Sequence, residues 1–446
     1  MEKKFTKIGS VNSDFDVFSL KSVLIKNDAG DWGDEPTEDA IGVIRSTNFT
    51  NAGILDLSDV AYRSLKPHKR IEKKLFKGEI LIERSGGSDN QPVGRVGLID
   101  ATIEKDEYAF ANFIQRISID DTIEPEFLYH CLQQMYEMGI TASMQYQTTG
   151  IRNLDWKLYI KTILPKPPKP EQTAIASILS KVDEAIEATQ NSIKAAEKLK
   201  KALMQNLLTG KLKPDGNWRT EDEYYLDEKY GKVPVGWTMK PIGDKSHCKI
   251  NPNYSFIKGE SYDFIPMDAI NDGFRGVSYL ESKIIDGGGF TRFKLGDILF
   301  AKITPCTENG KVALIESMTT NVGFASTEFI VFQPLEKIDN QFFYYVLSSG
   351  TVHKLAVSLM EGTTGRQRIP WKIFKNRINV CIPDDVEVQK SIAMKLKSFE
   401  NSNNQKQTKI QTLHRLKKSL MQNLLTGKIR VDVAKINELL KEQENE

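Results

Sequence analysis

Basic, amide and hydroxyl side chains recur in short glycine-containing segments of each half of the sequence. The first half contributes Arg84, Asn90, Gln91, Arg95, Gln147, Arg152 and Asn153, and the second contributes Lys302, Thr304, Asn309, Lys311, Arg366, Gln367, Arg368 and Lys372. Lysine and arginine neutralise phosphates, whereas arginine, glutamine and asparagine can make bidentate hydrogen bonds to guanine or adenine edges. One such cluster alone is more often a solvated surface. Matched clusters in both halves favour double-stranded DNA as the ligand.

Catalytic motifs, by contrast, are incomplete. Asn251-Pro252-Asn253-Tyr254 is close to the Asn-Pro-Pro-Tyr signature of adenine methyltransferases, but it lacks the second proline and a preceding glycine-rich cofactor loop. Pro383-Asp384 with Glu387 and Lys390 lacks the Glu-x-Lys spacing of a nuclease motif. No GxxxxGK[ST] phosphate loop occurs, and the five histidines have no metal-ligand or triad spacing. The sequence therefore predicts a chain with no catalytic residues and no metal site.

The composition is that of an ordinary globular protein. The 446 residues are 40% hydrophobic and 27% charged, and the length suits two or more domains. No run of about 18 apolar residues is present, and the first residues lack the apolar core of a signal peptide, so we expect a cytoplasmic protein without a membrane partner. The four cysteines lie far apart with no CxxC, which argues against a disulfide framework or a zinc site. A net charge of +2 neither requires nor excludes a nucleic acid.

The strongest signal is a long-range repeat. LKKALMQNLLTGKL at 199–212 returns as LKKSLMQNLLTGKI at 416–429, with 12 of 14 positions identical and an offset of 416 − 199 = 217 residues. Solenoid repeats have periods of about 20 to 50 residues, so this offset indicates a duplicated half-protein. Looser matches between the halves indicate that the two domains are related as well.

The repeated tract ends a long amphipathic helix in each half, which we expect to span about 35 residues. Apolar residues recur in steps of three and four, the spacing of a seam that faces a partner helix. The predicted seam comprises Ile175, Leu179, Val182, Ile186, Ile193, Leu203 and Leu207 in the first half, and Ile392, Leu396, Phe399, Ile410, Leu413, Leu420 and Leu424 in the second. Gly210 and Gly427 follow the last apolar residues, where a helix end favours positive φ.

Such a seam alone could belong to an ordinary core helix, but two matching helices favour pairing with each other. Polar residues interrupt the seam at Lys200, Asn403 and Lys406. A polar seam residue can fix the register of a coiled coil at a cost in stability, or it can face another protein. The sequence leaves both alternatives open.

Around the helices the sequence predicts mixed α/β domains. Short apolar runs at 41–45, 79–83 and 96–99 are typical of strands, 126–138 is typical of a helix, and prolines between 165 and 170 predict a stiff extended linker. We expect an α/β (α+β) fold with two similar domains in a pseudo-two-fold arrangement, separated by two long helices that pair as an antiparallel coiled coil. The predicted boundaries are 1–169 for domain 1, 170–213 for the central helix, 214–387 for domain 2, 388–430 for the distal helix and 431–446 for a C-terminal tail.

These motifs together resemble one family. Leu-Leu-Thr-Gly-Lys at 207–211 and 424–428, Pro-Val-Gly-Trp at 234–237, and the stretches 296–305 and 324–329 are similar to those of specificity subunits of type I restriction–modification systems. The resemblance covers nearly the whole chain. Domain 1 departs from the pattern because no Pro-x-Gly-Trp opens it.

The resemblance implies two target-recognition domains that bind an asymmetric, bipartite DNA site. It implies a subunit without catalytic activity that holds two methyltransferase subunits and recruits endonuclease/translocase subunits. The chain would need no cofactor of its own, since S-adenosylmethionine, ATP and Mg²⁺ would belong to the partners. Two alternatives stay open: a related system whose partner chain fuses methyltransferase and nuclease, and a protein-binding scaffold without salt-dependent DNA affinity.

Overall fold

The computed structural model describes residues 4–88, 91–148, 150–274, 276–363 and 365–444. The chain divides into two compact units: unit 1 comprises Met1–Gln190 and Thr408–Glu446, and unit 2 comprises Asn191–Gln407. Each unit contains one mixed α/β domain and a part of both long helices. Within the described ranges, no helix is both long and apolar enough to cross a membrane.

Unit 1 is built on a four-stranded antiparallel sheet. Its strands lie in the order Leu24–Ala29, Ile114–Ile119, Ile80–Glu83 and Val96–Leu98. The helix Pro125–Glu137 packs its apolar side chains into the same core as this sheet. The predicted strands at 41–45, 79–83 and 96–99 and the predicted helix at 126–138 are therefore confirmed, with shifts of at most one residue at each end.

The other strands of unit 1 are Lys4–Thr6, Gly9–Val11, Asp16–Ser19, Ile41–Ile44, Ala61–Arg63, Ser85–Gly87, Tyr108–Phe110, Gln145–Thr148, Ile151–Leu154 and Ile163–Lys166. Its other helices are Pro67–Lys73, Ala101–Lys105 and Trp156–Tyr159, with 3₁₀ turns at Leu20–Val23, Ser46–Asn48 and Ile140–Met144 and a tail helix at Val433–Glu444. Strand Tyr108–Phe110 runs parallel to Ile41–Ile44 and forms a second sheet with it.

Unit 2 repeats this plan. Its first sheet has the order Cys248–Ile250, Phe329–Pro334, Ile298–Ala301 and Val312–Leu314, and its second sheet contains one parallel pair, Glu260–Ile265 with Gly323–Ala325. The remaining elements are strands Tyr224–Asp227, Gly231–Pro234, Trp237–Pro241, Glu281–Ile285, Thr291–Phe293 and Asn379–Pro383, helices Asn340–Leu347, Gly350–Ser358 and Trp371–Arg377, and 3₁₀ turns Glu221–Glu223 and Met267–Ala269. The expectation of two similar α/β domains is confirmed.

The proline-rich segment is extended, as predicted, but its first part is a strand of domain 1 and not a linker. Residues Ile163–Lys166 form a strand paired with Asp16–Ser19, with Pro165 opposite Val17. Proline is tolerated there because the sheet has only two strands, so the missing N–H removes no bond to a further neighbour. The central helix starts soon afterwards, at Lys169.

The two long helices exceed the predicted length. The central helix spans Lys169–Leu208, 40 residues, and the distal helix spans Val386–Leu424, 39 residues. Gly210 and Gly427 follow them with φ of +68° and +67°, as the sequence predicts for helix ends.

A side chain at either glycine would collide with the domain beside it. A Cβ at Gly210 would lie 2.6 Å from the Pro234 side chain, and one at Gly427 would lie 2.7 Å from the Phe15 ring. Phe15 thus covers the helix end in domain 1, where no Pro-x-Gly-Trp is present.

Every predicted seam residue is buried or half-buried, while the positions between them are mostly exposed. In unit 1, Leu179 of the central helix shares a core with Met421 and Leu424 of the distal helix, so the helices pack antiparallel there. In unit 2, Leu207 shares a core with Leu396. The predicted antiparallel pairing is confirmed within each unit.

Two ion pairs join the helices, and one of them contains Lys200 of the seam. Lys417 Nζ lies 2.7 Å from Asp183 Oδ1, and Lys200 Nζ lies 2.7 Å from Glu400 Oε1. The two pairs correspond to each other through the 217-residue offset, since Asp183 matches Glu400 and Lys200 matches Lys417. Lys200 therefore belongs to a repeated interhelical contact. Asn403 differs: its Oδ1 is buried with no hydrogen-bond partner among the described residues.

The two matched lysines should differ in their contribution to stability. Lys417→Ala is expected to lower the free energy of unfolding by about 1–3 kcal/mol, because the Lys417 side chain is only 6% exposed and burial raises the pKa of its partner Asp183. Lys200→Ala should cost less than about 1 kcal/mol, since that lysine is 24% exposed and Glu400 keeps the Tyr345 hydroxyl. Urea titrations of both variants check this. Equal losses would contradict it.

Candidate nucleic-acid interface

The two predicted DNA-binding segments of unit 1 come together as a small antiparallel sheet. Strand Ser85–Gly87 pairs with Ile151–Leu154, which pairs in turn with Gln145–Thr148. The Ser85 hydroxyl lies 2.6 Å from Oδ1 of Asn153, 68 residues later in the chain, and donates to it. The two segments, which the sequence related only through their similar residue types, therefore form one surface in the fold.

The corresponding segments of unit 2 also meet. Ile303 and Arg368 form an antiparallel bridge. The Thr304 amide donates to the Gln367 carbonyl at 3.0 Å, and the Gln367 amide donates to Thr304 Oγ1 at 3.1 Å. The Thr304 hydroxyl in turn donates to the Gln367 carbonyl at 3.2 Å, so it fixes the loop and is not a free donor for DNA.

A third segment, which contains Phe113, is hydrogen-bonded to the paired strands of unit 1. The Arg84 amide donates to the Phe113 carbonyl at 2.8 Å, and the Leu154 amide donates to the Arg84 carbonyl at 2.8 Å. The Arg84 guanidinium lies 5.8 Å from the Trp156 ring and donates to Gln115 Oε1 at 2.8 Å. The backbone of Arg84 is thus bonded to both the Phe113 segment and the strand Ile151–Leu154.

The same backbone bonds recur in unit 2. The Lys302 amide donates to the Glu328 carbonyl at 2.9 Å, and the Ile369 amide donates to the Lys302 carbonyl at 2.9 Å. We call this arrangement the three-segment junction. It comprises Arg84, Phe113 and Asn153 in unit 1, and Lys302, Glu328 and Arg368 in unit 2.

Arg95 has a structural position inside unit 1. It is 6% exposed, and its Nε and Nη2 donate to the Glu83 carboxylate at 2.8 and 2.7 Å. Nη2 also donates to the Ser46 carbonyl at 2.9 Å, and Nη1 donates to the Phe49 carbonyl. Because its nitrogens are committed to these internal acceptors, we remove Arg95 from the predicted DNA contacts.

Lys311 has the equivalent position in unit 2. Its Nζ donates to the Met267 carbonyl at 3.0 Å and to the Ile270 carbonyl at 2.6 Å, and it lies 3.6 Å from Asp272 Oδ1. Lys311 also holds a 3₁₀ turn, and we remove it from the predicted contacts as well. Sequence reasoning assigned both residues to the surface because a charge count carries no information on burial.

Other predicted residues make polar contacts within the protein but remain near the surface. Gln91 donates to Asn51 Oδ1 at 3.0 Å, and Asn309 donates to Asp272 Oδ2 at 3.3 Å. Arg152 is half-buried beside Gly87. Asn90 lies outside the described residues.

The exposed residues among those predicted are Gln147, Asn309, Arg366, Arg368 and Lys372, and Gln367 is half-buried between Arg366 and Arg368. Lys372 lies on the helix Trp371–Arg377. The five exposed side chains are the most accessible to a large ligand.

Two junction residues escaped the sequence prediction. Phe113 was missed because it is neither basic nor an amide, although it is 47% exposed. Sequence reasoning assigned Glu328 no role beyond its place in the 324–329 motif. It receives hydrogen bonds from Arg368 Nε and Nη2 at 3.0 and 2.7 Å, and these bonds lower the pKa of the Glu328 carboxyl. An acidic residue beside an exposed arginine could have been noticed only from the fold.

Comparison with known proteins matches this duplicated architecture. The family model of the type I restriction modification DNA specificity domain matches twice, at residues 12–198 and 234–415. The type I restriction enzyme MjaVIII specificity subunit of Methanocaldococcus jannaschii is 27% identical over 348 residues, 76% of each chain. The type I restriction enzyme EcoEI specificity subunit of Escherichia coli is 33% identical over 157 residues, 34% of this chain and 26% of the relative.

A solved structure shares the fold. The type I restriction-modification system S subunit from M. genitalium superposes with a TM-score of 0.56 at 16% identity, over 95% of this chain and 99% of that one. Both halves of the sequence match the family model, and the four-stranded first sheets of their two domains have the same strand order. The chain therefore belongs to the type I restriction–modification specificity-subunit family, with one DNA specificity domain in each half.

Proposed function

We propose that this chain recognises an asymmetric, bipartite sequence in double-stranded DNA, with one half-site for each domain. The observation that carries the proposal is the three-segment junction, which has the same backbone bonds in both units but different exposed side chains. A backbone arrangement that both units share, with different side chains in each unit, is suited to two different targets. Two domains with different surfaces should prefer two different half-sites.

The chain would act without catalysis of its own. Two relatives are named type I restriction enzyme specificity subunits, which supports a place in a multi-subunit restriction enzyme. We propose that it holds two methyltransferase subunits and endonuclease/translocase subunits, and that S-adenosylmethionine, ATP and Mg²⁺ are bound by those partners. The alternative, a single partner chain that fuses methyltransferase and nuclease, is distinguished by the neighbouring genes.

Methylome sequencing of the host with and without this gene tests the proposal. The expected result is a methylated motif that disappears with the gene, is split by unread bases and is not a palindrome. Half-sites read from one face of the duplex should have centres about 10 bp, or roughly 34–36 Å, apart. A continuous or symmetric motif contradicts the bipartite reading.

Two variants separate sequence reading from phosphate binding in unit 2. Lys372→Ala is expected to weaken cognate and random duplexes equally and to reduce the salt slope by about one unit, because an exposed lysine releases about one counterion. Gln367→Ala should instead cost about 1–3 kcal/mol on the cognate site alone. Binding titrations at several salt concentrations check both, with the exposed Lys435→Ala as control. A protein scaffold without DNA affinity would show no salt-dependent binding in any variant.

A further inference from the structure

The three corresponding positions of the three-segment junction carry different residues in the two units. The backbone bonds that equate Arg84 with Lys302 also equate Phe113 with Glu328, since each carbonyl accepts from the matching amide. Strand pairing places Asn153 opposite Ser85 in unit 1, and an isolated bridge places Arg368 opposite Ile303 in unit 2. Asn153 therefore corresponds to Arg368. The scaffold is thus constant while an aromatic ring in one unit is replaced by a carboxylate in the other.

In unit 2 the carboxylate fixes the orientation of an arginine. Glu328 accepts from Nε and Nη2 of Arg368, which occupies one bidentate edge of the guanidinium. The Arg368 side chain remains 57% exposed, and its Nη1 has no acceptor among the described residues, so the second edge, formed by Nη1 and Nη2, is left for a ligand. A guanidinium edge of this kind matches the O6 and N7 acceptors of guanine in the major groove.

In unit 1 the same position carries an exposed apolar surface. The Phe113 side chain is 47% exposed, directly before the buried strand Ile114–Ile119. Its neighbour in the junction, Arg84, is already engaged with Trp156 and Gln115. An exposed ring at this point offers a contact that distinguishes thymine, whose 5-methyl group projects into the major groove.

We propose that positions 113 and 328 determine base preference in the two half-sites. Phe113 packs against a thymine 5-methyl group, and Glu328 is a positioning residue that presents Arg368 to guanine. The inference rests on the proposed function and adds the chemistry of one base pair in each half-site. The competing explanation is a surface ion pair that serves folding. Exposed pairs of this kind contribute little to stability, so removal of the carboxylate should leave unit 2 folded.

The test of unit 2 is a selection from randomised DNA duplexes by the full-length chain in complex with its methyltransferase subunit. Wild type is expected to select guanine at one position that both Arg368→Ala and Glu328→Gln relax, by about 5- to 150-fold. All other positions should keep their preference, and Lys435→Ala should select the wild-type motif. Unchanged base preference in Glu328→Gln overturns the proposal, as does an equal loss at every position. Wild type that selects no motif overturns the proposed function itself.

The test of unit 1 uses the selected duplex with each thymine replaced in turn by deoxyuridine, which lacks only the methyl group. Wild type is expected to lose about 3- to 5-fold in affinity at one position of one half-site, the value of one buried methyl-sized group. Phe113→Ala should bind the thymine and deoxyuridine duplexes equally, while Phe113→Leu should keep part of the preference. Absence of a deoxyuridine effect in wild type overturns the thymine contact. A deoxyuridine effect that persists in Phe113→Ala assigns the methyl contact elsewhere and also overturns it.

Discussion

Arg95→Met is expected to lower the free energy of unfolding by about 3–5 kcal/mol at neutral pH, because it breaks a buried ion pair. The Glu83 side chain is fully buried, and Arg95 is its ion-pair partner at 2.7 Å. Removal of the guanidinium leaves a buried carboxylate without a counterion, removes the Arg95 donor to the Phe49 carbonyl and leaves the Ser46 carbonyl with the Phe49 amide as its donor. Thermal or urea unfolding of the purified chain measures the loss.

The pH dependence of this loss has a definite sign. Burial raises the pKa of Glu83 in the folded protein, and Arg95 opposes the rise. Without Arg95 the folded pKa should rise further, so the folded state binds a proton more readily than the unfolded state does. The deficit of Arg95→Met should therefore be full at pH values above the raised pKa and shrink as the pH falls through it.

A double variant provides the control. Glu83→Gln combined with Arg95→Met removes the buried charge and should recover much of the stability lost at neutral pH. A deficit that is independent of pH, with no recovery in the double variant, would show that lost packing rather than the stranded carboxylate causes the effect.

Leu179→Ala is expected to cost about 2–5 kcal/mol, because it opens a cavity where the two long helices and the domain share a core. Leu179 is fully buried, and Leu396, its counterpart at the 217-residue offset, is fully buried as well. Leu396→Ala should therefore destabilise unit 2 by a similar amount. Urea unfolding, followed with probes in each unit, measures both.

The same repeat supplies matched controls. Leu199 and Leu416 lie at corresponding positions of the long helices and are 50% and 45% exposed. Alanine at either should change stability by less than about 0.5 kcal/mol. If the exposed and buried leucines cost the same, the seam described here is not the one that holds the helices together.

The two domains and the helix interface were predictable because the sequence contains a long-range repeat and a helical spacing of apolar residues. The 217-residue offset identified two related domains, and the three–four spacing placed Leu179 and Leu396 at the helix interface because burial follows directly from helical geometry. The ion pairs of Lys200 and Lys417 were not predictable in the same way. They join residues 400 − 200 = 200 and 417 − 183 = 234 positions apart, and only the register between the helices brings each lysine to its acid.

The candidate interface was predictable as two segments in each half but not residue by residue. Arg95 and Lys311 are of the residue types that commonly bind DNA, yet both serve as internal donors to the carbonyls of 3₁₀ turns. Phe113 and Glu328 lack that composition, although the junction brings them beside the predicted residues. Side-chain type alone does not separate a buried cation from an exposed one, because tertiary contacts decide that difference.

The interhelical ion pairs also bear on how such proteins diversify. The central helix carries both Asp183 and Lys200, and the distal helix carries both Glu400 and Lys417. Each helix thus contains an acid and a base at the same separation, and either one is self-complementary in an antiparallel pairing. Recombination within the repeated tract could join a new domain to an existing helix without disturbing that complementarity. A hybrid chain that combines one half of this protein with a half of the same acid–base spacing should therefore keep both ion pairs.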